Sequence, residues 1–268
     1  MNPRMQKTIS TLVLLGLAAT GAHAQMSATA QVSTTAIDDN KVLANGASTG
    51  PFTLTIEGTN TGANSAGVPY SSFGVVDFNF AKPAAPVSSI SGNTLTFSLG
   101  DQASGFEANG TLDFYFASNT TASIDNSTST LAYQTASSGP GMDPQGVGTQ
   151  LGTLYSLGSQ AYTAQTTRGT LDTYTLTPTG AAAQYFLSQY NAGQNVRLVI
   201  SADSAAGNQN MAANFYGYNS TSTSAKPVTL NFTPGAPTAA PEPSGIVAML
   251  IGMGALGLIA VRRRIQAA

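Results

Sequence analysis

The 268-residue chain has no cysteine and no tryptophan, and its single histidine is His23. Without thiols there are no disulfides, no thiolate nucleophiles and no cysteine metal sites. Without a histidine beyond residue 23, the rest of the chain cannot build a Ser-His-Asp triad or an imidazole zinc site. Lys41, Lys82 and Lys226 sit beside turns or prolines, outside any recognisable Ser-Lys motif. Charge is scarce as well: 8% of residues are charged, against roughly 25% in ordinary soluble domains. Serine, threonine, asparagine, glutamine and glycine supply the polar surface instead. The missing indole removes the broadest flat face on which a sugar ring stacks.

What charge there is leans acidic. Between residues 25 and 240 the chain carries five basic residues against eleven acidic ones, a net charge of -6. A mildly acidic domain with no basic run excludes nucleic acid as a partner, because that binding depends on neutralising phosphates.

The two ends read as addresses. Arg4 and Lys7 precede an apolar run over residues 9–19, and Ala22 and Ala24 supply the small residues before a cleavage site. This is the pattern of a secretory signal peptide spanning residues 1–24, removed after Ala24 together with His23. At the other end, residues 244–261 are uncharged. Eighteen residues make about 27 Å of helix, close to the roughly 30 Å of a bilayer core. Arg262, Arg263 and Arg264 follow within a basic tail, 262–268, that the positive-inside rule places in the cytoplasm. The expected topology is one C-terminal transmembrane helix with the domain outside. Pro241-Glu242-Pro243 stands immediately before that helix.

Pro-Glu-Pro, an apolar helix and an arginine cluster, in that order, resemble the PEP-CTERM sorting domain of Gram-negative bacteria. The resemblance covers residues 241–264, a tenth of the chain. It implies that an exosortase-type membrane enzyme recognises Pro241, Glu242 and Pro243 and processes the tail. It further implies a protein exported through the inner membrane and then anchored or released at the cell surface or extracellular matrix, where family members accompany exopolysaccharide and biofilm.

Between the ends, β-branched and aromatic residues alternate with polar ones and are bounded by Gly, Asn, Ser and Pro. The pattern predicts strands at 52–57, 73–80, 94–99, 111–117, 151–157, 171–177, 196–202, 212–218 and 228–232. In Leu112-Asp113-Phe114-Tyr115-Phe116 the alternation separates an apolar face from one carrying Asp113 and Tyr115, which predicts a dry and a wet side. Residues 180–190 break the period. Ala183, Phe186 or Leu187, and Tyr190 recur at helical spacing, Thr179 stands at the N-cap position and Gly193 lies past the end. The expected ectodomain, 25–233, is therefore an all-β, jelly-roll-type β-sandwich with one short helix. Residues 118–129 and 135–150 read as long edge loops. Residues 234–243 read as a Pro-rich stalk. The order of elements from residue 171 onward resembles carbohydrate-binding-like jelly rolls of bacterial surface proteins.

The chemistry on offer is sparse. Two carboxylates flanking a bond suffice for glycoside hydrolysis, but Asp77 and Asp113 lie in alternating strands where an outward carboxylate is simply solvated. No cofactor is implied. Calcium is the one ion the loops could hold, through oxygen donors at Asp38-Asp39-Asn40 and around Asp203, Asn208 and Asn210. Tyr216 and Tyr218 share a strand face, and Tyr115 is a further outward tyrosine; together they are the candidate ligand face. Three functions follow: a non-catalytic structural or adhesive surface protein, a carbohydrate-binding module tethering extracellular polysaccharide, and a carboxylate-dependent glycan hydrolase or lyase. The absent catalytic groups favour the first.

Overall fold

Leu95-Thr96-Phe97-Ser98-Leu99 shows how this chain folds: the three apolar side chains are fully buried and the two hydroxyls between them half-buried. A computed structural model describes residues 31–43, 53–58, 72–124, 151–202 and 210–237. Ten strands and one α-helix are present in this part. The strands are β1 (Val32–Leu43), β2 (Thr53–Glu57), β3 (Ser72–Phe78), β4 (Leu95–Gly100), β5 (Gly110–Ala117), β6 (Leu154–Tyr162), β7 (Leu171–Leu176), β8 (Val196–Ala202), β9 (Ala212–Tyr216) and β10 (Thr229–Phe232), with α1 (Gly180–Ala192) between β7 and β8. The signal segment, the Pro-Glu-Pro motif, the apolar span and the arginine cluster lie outside the described residues. Among the described residues no helix is long and apolar enough to cross a membrane.

Every strand pair is antiparallel, and the strands form two sheets facing one another. One sheet runs β1-β10-β4-β7; the other runs β6-β5-β8-β3-β1, with β2 and β9 alongside β3. Phe78, Phe97, Phe114 and Tyr174 meet across the interior, with ring centroids 5.1–6.3 Å apart along the chain of contacts. This is an all-β sandwich, as the alternation predicts.

β1 belongs to both sheets and is the main departure from the expected strands. Its first residues pair with β10, the register shifts between Ala36 and Asp38, and the remainder pairs with β3. Asp38 and Asp39 therefore stand opposite Asp77 and Val76 in a paired strand, not in the loop expected for calcium. Asp38-Asp39-Asn40-Lys41 has no apolar alternation to announce a strand. Hydrogen bonding from β3, distant in sequence, supplies what local propensity lacks. Two smaller shifts appear elsewhere. The strand expected at 151–157 occupies Leu154–Tyr162, and β9 ends at Tyr216. Residues 234–237, expected to begin the stalk, are joined to the domain by bridges Ile90–Pro234 and Val87–Pro237.

The helix follows its sequence signals with one change. Ala182, Phe186 and Tyr190 form its buried face, so Ala182 takes the place expected of Ala183. Thr179 occupies the N-cap position, but its side chain makes no capping hydrogen bond. Phe186 and Tyr190 meet Phe80 and Phe232 edge-on at 4.9–5.8 Å, closing one end of the sandwich. Gly193, at φ 66°, ends the helix: its N–H and that of Gln194 bond back to Tyr190 and Gln189. A Cβ at Gly193 would sit 3.0 Å from the backbone nitrogen of Lys82. Gly193→Ala is expected to cost about 1–2 kcal/mol, because an L-residue is disfavoured in this left-handed conformation; a thermal melt unchanged from wild type would contradict this.

The second sheet is not simply wet on its outer side. Phe73, Val75, Ala117 and Val199 lie there under Ile124 and Leu151, forming a smaller second core with Tyr115 at its edge. Residues 118–124, part of the expected edge loop 118–129, are the chain that covers this face.

Candidate functional site

The strands that set the inner and outer faces also place the polar groups, and three of these placements matter. The first is a buried ion pair. Asp77 continues the Phe73–Val75 row of β3, and Arg197 begins the Val199–Ser201 row of the neighbouring β8, where the two residues are register partners. The Arg197 side chain is 1% exposed. Its Nε and Nη2 each donate to a carboxylate oxygen of Asp77 at 2.8 Å. The remaining donors reach the carbonyls of Asn119 and Ala122 at 2.9 and 2.7 Å. All its polar reach is spent inside the fold, so the pair is a clamp on residues 118–124.

The second is a pair of interior carboxyls. Asp101 extends the Leu95-Phe97-Leu99 row beyond β4, and Asp172 shares its parity with buried Tyr174 and Leu176 on β7. Both aspartates thus point the way their apolar neighbours do. Asp101 is 0% exposed; its oxygens accept from the Tyr162 hydroxyl at 2.8 Å and the Ala103 N–H at 2.6 Å. Asp172 accepts at Oδ1 from Gln165 at 2.8 Å, while its buried Oδ2 meets no donor among the described residues. Burial first, and the nearby Asp101 charge second, push the Asp172 carboxyl up to about 7. A proton on Oδ2 turns the orphaned acceptor into a donor toward Asp101, which resolves the conflict of two neighbouring carboxylates. Glu107 accepts from the Ser104 N–H at 2.8 Å and is also held up, chiefly by burial. Burial raises the Tyr162 and Tyr174 hydroxyls too, with the acidic neighbours reinforcing it.

The third is an open polar pocket of about 280 Å³ beside that pair. Thr53 and Tyr216, partners across β2 and β9, contribute to it, as do Gln102, Arg168 and residues 220–222. Gln102 is held by donating to the Phe215 carbonyl at 2.9 Å. Arg168 rides on a turn closed by the Thr170 N–H and hydroxyl bonding the Thr167 carbonyl. Gly169 in that turn has φ 79° and donates to the Asp101 carbonyl; a Cβ there would meet the Ser224 carbonyl at 2.7 Å, so the close approach requires glycine. Serine turns pin the far wall, with the Ser224 N–H bonding the Ser222 hydroxyl at 3.3 Å.

The three expected ligand tyrosines are not one face. Tyr115 is half-buried on β5 against the second core. Tyr216, 4% exposed, belongs to the pocket on β9, with β8, β3 and β2 lying between β5 and β9. Tyr218 follows the end of β9 and is 41% exposed. Asp203 lies outside the described residues, and no three His, Cys, Asp or Glu groups converge on a metal position among the described residues. Asp113, expected to be freely solvated, accepts a hydrogen bond from the Ser159 hydroxyl. The pocket itself was invisible to alternation, since most of its residues come from turns. The aspartate pair was not: its parity with buried neighbours was the available signal.

The chain matches no protein-family model, and no curated protein matches it significantly.

Proposed function

We propose that this is an exported, exosortase-sorted protein with a non-catalytic structural or adhesive role at the cell surface or in an exopolysaccharide or biofilm matrix. In this reading the sandwich is of jelly-roll type, a C-terminal transmembrane helix at 244–261 docks it for processing, and Pro241-Glu242-Pro243 is the recognition motif. The tail supports the address. Support for the non-catalytic role comes from the acidic side chains. A glycan-cleaving pair must flank its substrate bond, yet Asp101 is wholly enclosed, Asp77 is locked to Arg197, and Asp172 faces Asp101.

The sorting reading is tested by mass spectrometry of the mature protein from cells with and without the processing enzyme. The expected result is a chain truncated near residue 243 in the first and an intact apolar tail in the second. An intact tail in both would leave only a membrane anchor.

The polar pocket supports a second reading, a carbohydrate-binding module that tethers polysaccharide. Its hydroxyl, amide and guanidinium groups match the hydrogen-bonding demands of sugars. A glycan array separates the two readings: binding to no polysaccharide removes this one.

A further inference from the structure

The geometry points to the pocket around Arg168 as a binding site for a carboxylated sugar residue, with the Arg168 guanidinium as the anchor for its carboxylate. The assignment rests on the carbohydrate-binding reading and makes it specific.

The argument starts from charge. Among the described residues Arg197 is paired with Asp77. Arg168, exposed at the pocket, has no carboxylate partner among them. A planar guanidinium suits a carboxylate because two parallel N–H donors meet its two oxygens. The turn carrying Arg168 is fixed to the domain by the Gly169 N–H bond to the Asp101 carbonyl at 2.8 Å, so the cation is presented from an ordered backbone.

The rest of the lining decides the ligand's other chemistry. Thr53, Gln102, Tyr216 and the hydroxyls of 220–222 offer neutral donors and acceptors, which suit sugar hydroxyls and give an apolar ligand little to bury against. Among the described residues no carboxylate lines the pocket, and Arg168 repels a metal ion there. Several charges on one ring are disfavoured by the net charge of -6 over residues 25–240 and by the aspartates behind the wall, whereas the single carboxylate of a uronate ring is matched by one arginine. At about 280 Å³ the pocket lies at the small end of ligand sites, the size for a single ring within a longer chain.

The test is calorimetric titration of the full chain in detergent micelles. The probes are oligogalacturonate, its methyl ester, which is neutral but otherwise matched, and inorganic phosphate. The acid form is expected to bind about tenfold more tightly than the ester at low salt, as one charge-assisted contact provides. Arg168→Gln should abolish that preference and Arg168→Lys should keep part of it, with both variants melting as wild type because the side chain is exposed. If acid and ester bind equally and Arg168→Gln changes nothing, the anchor assignment falls while the carbohydrate-binding reading stands. Binding of neither oligosaccharide overturns the carboxylated-sugar assignment, and the glycan array then decides whether the carbohydrate-binding reading survives it. Binding of phosphate alone makes the pocket a simple oxyanion site and overturns the sugar assignment.

Discussion

Arg197→Met is expected to lower stability by about 3–5 kcal/mol, because it leaves the Asp77 carboxylate buried without its partner. For a domain of this size that is a fall in Tm on the order of 10 °C. The loss does not measure the net worth of the ion pair. Taking two charges out of water costs nearly what their attraction returns, so replacing both by apolar groups is often neutral. The double variant Asp77→Leu/Arg197→Met should therefore recover most of the melting temperature. It should not recover the loop. The carbonyls of Asn119 and Ala122 lose the Arg197 donors in either variant, so amide exchange over residues 118–124 should quicken in both. A single variant melting within about 2 °C of wild type would show that the clamp contributes little. Unchanged exchange over 118–124 in the double variant would show that Ile124 and the second core hold the loop without it.

The Asp172 carboxyl should make the domain more stable in mild acid than in mild base. Burial holds it near 7 in the folded protein, above the 3.8 of an unperturbed aspartate, so the folded state binds this proton more tightly than the unfolded chain does. Its contribution is complete below about pH 4 and is lost progressively as pH rises through about 7. Glu107, also held up by burial, acts in the same direction. Discounted for the partial exposure of Asp172, the span is on the order of 2 kcal/mol. Asp172→Asn keeps a donor toward Asp101 without needing a proton. The variant should melt roughly 5 °C above wild type at pH 8 and close to it at pH 4. The difference between the two proteins isolates this group from the other titrating acids. Parallel Tm curves from pH 4 to 8 would mean that the carboxyl ionises in the folded protein as it does in water.

Much of this was legible in one dimension. Period-two alternation marks nine of the ten strands, and helical spacing with a glycine stop marks α1 and its Gly193 terminus. Parity even tells which aspartates point inward: Asp101 follows Leu95, Phe97 and Leu99, and Asp172 precedes Tyr174 and Leu176. What parity cannot tell is who the neighbour is. Tyr115 and Tyr216 each alternate plausibly outward, yet strand order puts three strands between them and a loop beside one.

By itself, then, the sequence determined which catalytic and metal-binding side chains this protein lacks and the dry face of the alternating strands, because those depend on residue type and local period. Tertiary structure decided the rest. It gave β1 to both sheets, drew 118–124 over a face that alternation leaves wet, brought half-buried Asp172 against buried Asp101 and set Arg168 over a pocket of hydroxyls. Each of these depends on pairing between segments far apart in the chain. Register, burial and the hydrogen-bond demands of enclosed charges exist only once those segments meet.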